Sequence, residues 1–143
     1  MKYRYESKKD YRDFASGRVL YNAPHTTAFP VRLASELVQI CFSQLDKSKA
    51  MEGYKLYDPC CGGANLLTVI GFLFGSELKE IVATDYDSSV LNVAKRNLAL
   101  LHPDGLAQRK KQLQEALLNY GKESHKEALI SVERLSALQT IPK

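Results

Sequence analysis

The chain has 143 residues, 45% hydrophobic and 25% charged, with a formal net charge of +4 and a pI near 8.9. This balance excludes a disordered chain or a coiled coil and fits a soluble domain with a real core. The mild basic excess permits an anionic partner without requiring one.

The opening stretch, MKYRYESKKDYRDF, is charged and aromatic and lacks the apolar segment of a secretory signal, so a cytoplasmic location is expected. Tyr3, Tyr5, Tyr11 and Tyr21 interleave there with Arg4, Lys8, Lys9, Arg12 and Arg18. Cations that meet phosphates and rings that stack on bases are what an RNA face uses. A solvated, partly packed segment, with Glu6, Asp10 and Asp13 offsetting the charge, is the competing reading. His25 follows in a loop and reads as a surface histidine.

The spacing of Leu33, Leu37, Ile40, Cys41 and Leu45 predicts an amphipathic helix over Val31 to Leu45, with those residues as its apolar stripe and Pro30 at its start. A polar loop, DKSKAMEGY, leads to KLYDP, which is too short for a helix, closes on a proline and predicts a strand ending at Asp58. From Ala64 to about Gly75 the pattern is apolar nearly all round, a buried helix. Its apolar run is half the roughly 20 residues of a membrane span, so no membrane is expected.

KEIVATDYD predicts a second strand from about Glu80 to Thr84. Asp87 and Ser88 then offer caps for a helix that repeats Val90, Leu91, Ala94, Leu98 and Leu101 before Pro103. The alternation of helix and strand is the pattern of a parallel α/β sheet. Beyond it come two polar, charged helices broken at Gly121, in which Arg109, Lys110 and Lys111 read as a solvated face.

The chemistry concentrates between the strands, at Asp58-Pro59-Cys60-Cys61-Gly62-Gly63-Ala64. Cys41, Cys60 and Cys61 cannot all pair, and Cys60 and Cys61 are adjacent, which strains a mutual disulfide. Zinc needs a second ligand pair, and His25, His102 and His125 are scattered singly, so no metal is expected. Glycines 62 and 63 let the backbone approach a ligand where open α/β folds bind one, at the carboxyl end of a strand. Asp85 lies 23 positions after Gly62, the place of an acid that holds ribose hydroxyls. A nicotinamide-dependent oxidoreductase has the same outline. Its turn seats a pyrophosphate, however, which an acid at Asp58 repels, whereas the ammonium and sulfonium of S-adenosyl-L-methionine suit that acid.

These segments resemble the avilamycin-resistance (AviRa-like) rRNA methyltransferase family, class I S-adenosylmethionine enzymes with a Rossmann-like fold. The likeness runs through RVLYNAPHTTAFPVRLASEL, LYDPCCGGANLLTV, ATDYDSSVLNVAKRNLALLHPDGL and YGKESHKEAL, in the family's order. The family's turn reads approximately D-P-C-C-G-S-G, so Gly63 and Ala64 stand where serine and glycine are usual; a left-handed alanine is costly, and the neighbouring Gly63 is expected to absorb the bend. The resemblance implies that Asp58, Pro59, Cys60, Gly62, Gly63, Asp85 and Tyr86 form the cofactor site. Asp58 would order the methionine end, Asp85 would hold the ribose and Tyr86 would lie beside the adenine. It also implies methyl transfer to a guanine nitrogen of large-subunit ribosomal RNA, with Arg4, Lys8, Lys9, Arg12 and Arg18 on the RNA side, and a role in antibiotic resistance.

The family's later strands and its D-L-P-Y-type motif find no match here. The expected architecture is therefore the amino-terminal part of a class I methyltransferase: two parallel strands with flanking helices, followed by a helical tail. Its parts are a basic, aromatic segment (1–30), a cofactor half (31–102) and a helical insertion (103–143). No side chain is assigned as catalytic, and the truncated chain is expected to be inactive alone and prone to self-association. A non-enzymatic RNA-binding or scaffold remnant is the alternative.

Overall fold

A computed structural model describes residues 2–45 and 47–140. After a 3-10 turn at Arg12–Phe14, and with further 3-10 segments at Lys47–Glu52 and Gly75–Glu77, the chain forms α1 (Val31–Gln44), β1 (Tyr54–Asp58), α2 (Asn65–Phe74), β2 (Leu78–Ala83), α3 (Ser88–Ala99), α4 (Pro103–Tyr120) and α5 (Glu123–Ser136). The strands pair in parallel, with Leu56 opposite Ile81 and Asp58 opposite Ala83. This register brings the residues after both strands to one end of the sheet. Two parallel strands, flanking helices and a helical tail are the expected architecture. Among the described residues no helix is long and apolar enough to cross a membrane.

Local chemistry sets most boundaries. Asp87 caps α3 by accepting a hydrogen bond from the Ser89 N–H at 2.9 Å, which satisfies one of the orphan donors of a helix start. Pro103 opens α4 at a position where its missing N–H costs nothing.

The two final helices are less polar in effect than their composition suggests. Leu106 and Leu113 of α4 and Ala128, Val132 and Leu135 of α5 join Phe14, Val19, Leu20, Val69, Phe72 and Leu100 in the main core. The tail is thus a structural wall that covers the amino-terminal segment and the outer face of α2.

Helix α1 departs from its expected stripe. It buries Ala34, Ser35, Glu36 and Val38, while Leu37, Ile40 and Leu45 are 45%, 38% and 44% exposed and Cys41 is exposed. The amino-terminal segment causes this. The Glu36 carboxylate accepts the backbone N–H groups of Arg4, Tyr5 and Glu6 at 2.6, 2.8 and 2.9 Å, and Ser35 donates to the Glu6 carboxylate. Polar residues win the buried face because they satisfy a strand of backbone that has no sheet to pair with. Phe42 then anchors α1, stacking on Tyr54 and meeting Phe74 edge-on.

Candidate cofactor site

Between β1 and α2 the chain turns back on itself within six residues, 59 to 64. The Asp58 carboxylate accepts the Cys60 N–H at 2.9 Å, and the Cys61 N–H donates to the Thr84 carbonyl at 3.0 Å, extending the strand pairing past the sheet. Asp85 closes the other side. One of its oxygens accepts the Gly62 N–H and the other the Asp87 N–H, both at 2.8 Å. The acid expected to meet a ribose therefore also clamps the glycine turn to the end of β2, and each oxygen keeps acceptor capacity for a ligand hydroxyl.

The left-handed residues of the turn are Gly62, with φ of +54°, and Ala64, with φ of +58°. The sequence suggested that Gly63 would absorb the bend forced by alanine in a glycine position. Instead Ala64 takes it, at a cost of about 1–2 kcal/mol. Gly63 is needed for space, since a Cβ there would lie 2.8 Å from the Ala23 Cβ. Asn97 of α3, fully buried, fixes this approach. Its amide donates to the carbonyls of Gly63 and Tyr21 at 2.8 and 2.9 Å, and its oxygen accepts the Tyr21 N–H at 2.7 Å.

A pocket of about 250 Å³ opens at the turn, lined by Thr26, Thr27, Phe29, Asp58, Gly62 and Asn65 among others. Asn65 begins α2, and its buried side-chain Nδ2 has no hydrogen-bond partner. An orphaned buried donor is costly unless something accepts from it. The pocket is also electronegative. Burial, then the charges of Asp85 and Asp58, push the Cys61 thiol above its ordinary pKa, so this cysteine stays protonated and is a packing residue. The field that holds its proton favours a cationic ligand. These features fit S-adenosyl-L-methionine: acids for a cation and hydroxyls, and an unpaired donor for a carboxylate.

Of the residues expected here, Asp58, Pro59, Cys60, Gly62, Gly63 and Asp85 converge on the turn. Tyr86 adjoins it fully exposed. Thr26, Thr27, Phe29, Asn65 and Asn97 were not singled out from sequence. The first three lie in the matched block before α1, and Asn97 is a polar residue on the otherwise apolar stripe of α3, which was the available signal. Among the described residues no cluster of His, Cys, Asp or Glu is arranged to hold a metal.

The basic amino-terminal residues do not gather into one patch. Arg12 is tied to Asp10, holding that exposed carboxylate at about 2; Lys9 pairs with Glu6; Arg18 reaches Ser131 and Glu127 of α5. Arg4 lies over the Tyr5 ring, and Lys8 is exposed.

Comparison with known proteins follows the same lines. The family model described as rRNA methyltransferase AviRa matches residues 1–142. The 23S rRNA (guanine(2535)-N(1))-methyltransferase of Streptomyces viridochromogenes is 42% identical over 126 residues, which is 88% of this chain and 49% of the relative. Two solved structures of the rRNA methyltransferase aviRa from Streptomyces viridochromogenes superpose with TM-scores of 0.88 and 0.85 at 40% identity. They are matched over 94% and 93% of this chain and over 53% and 52% of theirs. The chain thus spans about half the length of the curated relative it matches.

Proposed function

The chain belongs to the AviRa rRNA methyltransferase family, and from that membership we propose that it binds S-adenosyl-L-methionine at the turn after β1 and serves methyl transfer to a guanine nitrogen of large-subunit ribosomal RNA. The observation that carries the cofactor assignment is the Asp85 clamp on Gly62, at the edge of a pocket that Gly62, Asp58 and Asn65, with its unpaired amide, line. Asp85 accepts the ribose hydroxyls, Asp58 orders the ammonium end, the Asn65 amide meets the carboxylate and exposed Tyr86 covers the adenine. When bound, the cofactor supplies an electrophilic methyl group on sulfur. The chain's own residues position that group and shield it, with no side chain here assigned as a general base.

On the RNA side, Arg4, Lys8, Lys9, Arg12 and Arg18 are proposed contacts, led by Lys8 and Arg4, whose charges no carboxylate offsets among the described residues. A ribosomal substrate implies a cytoplasmic protein, and the relative's guanine specificity is carried over to this chain as part of the proposal.

Calorimetry with S-adenosylhomocysteine and with NAD tests the cofactor assignment. The sulfur cofactor should bind and NAD should not. Asp85→Ala should weaken binding by about 1–3 kcal/mol, through loss of charge-assisted hydrogen bonds and of the turn clamp. NAD binding without a response to the sulfur cofactor overturns it.

A further inference from the structure

Helices α3 and α4 frame an open groove of about 610 Å³, floored by Tyr21 and lined by Lys95, Arg96, Gln108, Arg109 and Gln112. No acidic residue lines it. Arg109, which composition alone places in a solvated basic run, is half-buried and built in. Its Nε donates to the Val19 carbonyl at 2.8 Å, one terminal nitrogen donates to the Gln112 oxygen at 3.2 Å, and its guanidinium lies 4.4 Å from the centre of the Tyr21 ring. Arg96 reaches the same ring at 5.5 Å, and the Tyr21 hydroxyl donates to Gln112 at 3.0 Å.

The groove gathers three cations on one lining that holds no acid. Lys110, next in sequence, pairs with Glu133 of α5 at 2.6 Å; Lys9, Arg12, Arg18, Lys55, Lys126 and Arg134 likewise have carboxylate partners. Among the described residues Lys95, Arg96 and Arg109 have none within 4.0 Å. Burial, with the neighbouring Arg96 charge adding to it, pulls Arg109 below its ordinary pKa, yet a guanidinium stays charged. A fixed, partly desolvated cation with spare donors and no anion is stabilised by an anionic ligand.

We propose that this α3–α4 groove binds the phosphodiester backbone of RNA, with Lys95, Arg96 and Arg109 on phosphates and the Gln108 and Gln112 amides within reach of sugar hydroxyls. Its position favours a nucleic-acid strand over a free phosphate ion. The groove is elongated by two helices, and its floor is coupled to the cofactor turn, because Asn97 grips both Tyr21 and Gly63. One side chain, Asn97, thus links the groove floor to the turn at which the cofactor is proposed to bind. The inference rests on the rRNA methyltransferase reading for the identity of the RNA, but not for the presence of the site.

The test is fluorescence anisotropy of this chain with a 23S rRNA transcript and with an unrelated RNA hairpin, each across a KCl series, alongside S-adenosylhomocysteine calorimetry. Lys95→Gln with Arg96→Gln alters two exposed side chains. It should lower the slope of log K against log salt by about 1.4–1.8, and affinity at 0.1 M salt by about 25- to 60-fold, for both RNAs, since phosphate contacts carry no sequence information. Cofactor binding should not change. Arg109→Lys keeps the charge and loses the fork, so affinity should fall severalfold with the slope retained. An unchanged slope in the double variant, or a wild-type chain that binds neither RNA at 50 mM salt, overturns the groove. If the slope falls as stated but the sulfur cofactor fails to bind, the groove stands and the rRNA methyltransferase reading is what fails.

Discussion

The two flanks of the cofactor turn are built differently. On one side the amino-terminal segment, α2, α4 and α5 enclose a continuous core in which Val19, Leu20, Leu100 and Leu135 are fully buried. On the other, Cys61, Ala64, Leu67 and Ala94 form a small core with partly covered Leu56 and Ile81, while Tyr57 and Val82 of the strands remain 58% and 38% exposed. A parallel sheet is stable when covered on both faces, so the helical side has to carry the turn. It does so through Asn97, one end of which belongs to each region. The contrast suggests that rigidity at the turn comes from the helical wall and that the sheet side is the adaptable one.

The sharpest way to break this contrast is to hollow out the wall. Leu20→Ala removes a fully buried side chain from the larger core and should cost about 2–5 kcal/mol, the range for a leucine cavity. Chemical denaturation measures it, and Tyr57→Ala on the open strand should cost far less. Equal losses at the two positions would mean that both flanks carry the fold.

A smaller effect is expected at the joint itself. Asn97→Ala leaves the Tyr21 N–H and the Gly63 carbonyl without their partners and should destabilise by about 1–3 kcal/mol. Because the lost bonds hold the turn, S-adenosylhomocysteine affinity should fall as well. Asn97→Asp keeps the acceptor for the Tyr21 N–H but loses the donor to the Gly63 and Tyr21 carbonyls, so a larger loss in cofactor affinity than in RNA affinity would locate the damage at the turn.

The latch of the amino-terminal segment sharpens the comparison through pH. Burial tends to raise the Glu36 pKa, but the backbone N–H groups of Arg4, Tyr5 and Glu6 outweigh it and hold it below the ordinary 4.5. Glu6 is also lowered: burial opposes, and its bonds from Ser35, Tyr11 and Lys9 prevail. A carboxylate whose folded pKa is depressed stabilises fully above its unfolded value and loses that contribution as pH falls through the folded one. Hydrogen-exchange protection of the Arg4, Tyr5 and Glu6 amides should therefore hold at neutral pH, begin to weaken as pH falls past the ordinary 4.5 and be lost as it falls through the lower folded value, before the core opens. Glu36→Gln should remove it at all pH values; protection unaffected by either change would show that the segment is held by something else.

Much of this was legible in the sequence where one residue type answers one local demand. The order of strands and helices follows from periodicity, the turn from its glycines, and the place of Asp85 beside that turn from its spacing after Gly62. Tertiary choices were not legible. Nothing local separates Arg109 from Lys110 in a basic run, yet one lies on Tyr21 and the other on an acid of α5. On α1 the apolar stripe is the core face that periodicity predicts, and nothing local marks Glu36 for burial, because the backbone that it satisfies lies 30 to 32 residues away. At the turn the glycine next to Ala64 appeared able to take the bend, but packing against Ala23 already claims it.

The smallest expected effect on stability lies on the exposed face of α1, and it tests whether the open side is truly uncommitted. Leu37 and Ile40 are one helical turn apart and 45% and 38% exposed, so their removal takes little apolar area out of the fold. Replacing both by glutamate, a good helix former, should change monomer stability by no more than about 0.5 kcal/mol. Together with exposed Tyr57 and Val82 they nevertheless leave apolar surface facing water, which favours self-association. Sedimentation velocity over a concentration series should show association of the wild-type chain that weakens in Leu37→Glu with Ile40→Glu. A wild-type chain monomeric throughout the series would mean that the open flank does not drive association, and a large loss of stability in the double variant would place α1's outer face in the fold after all.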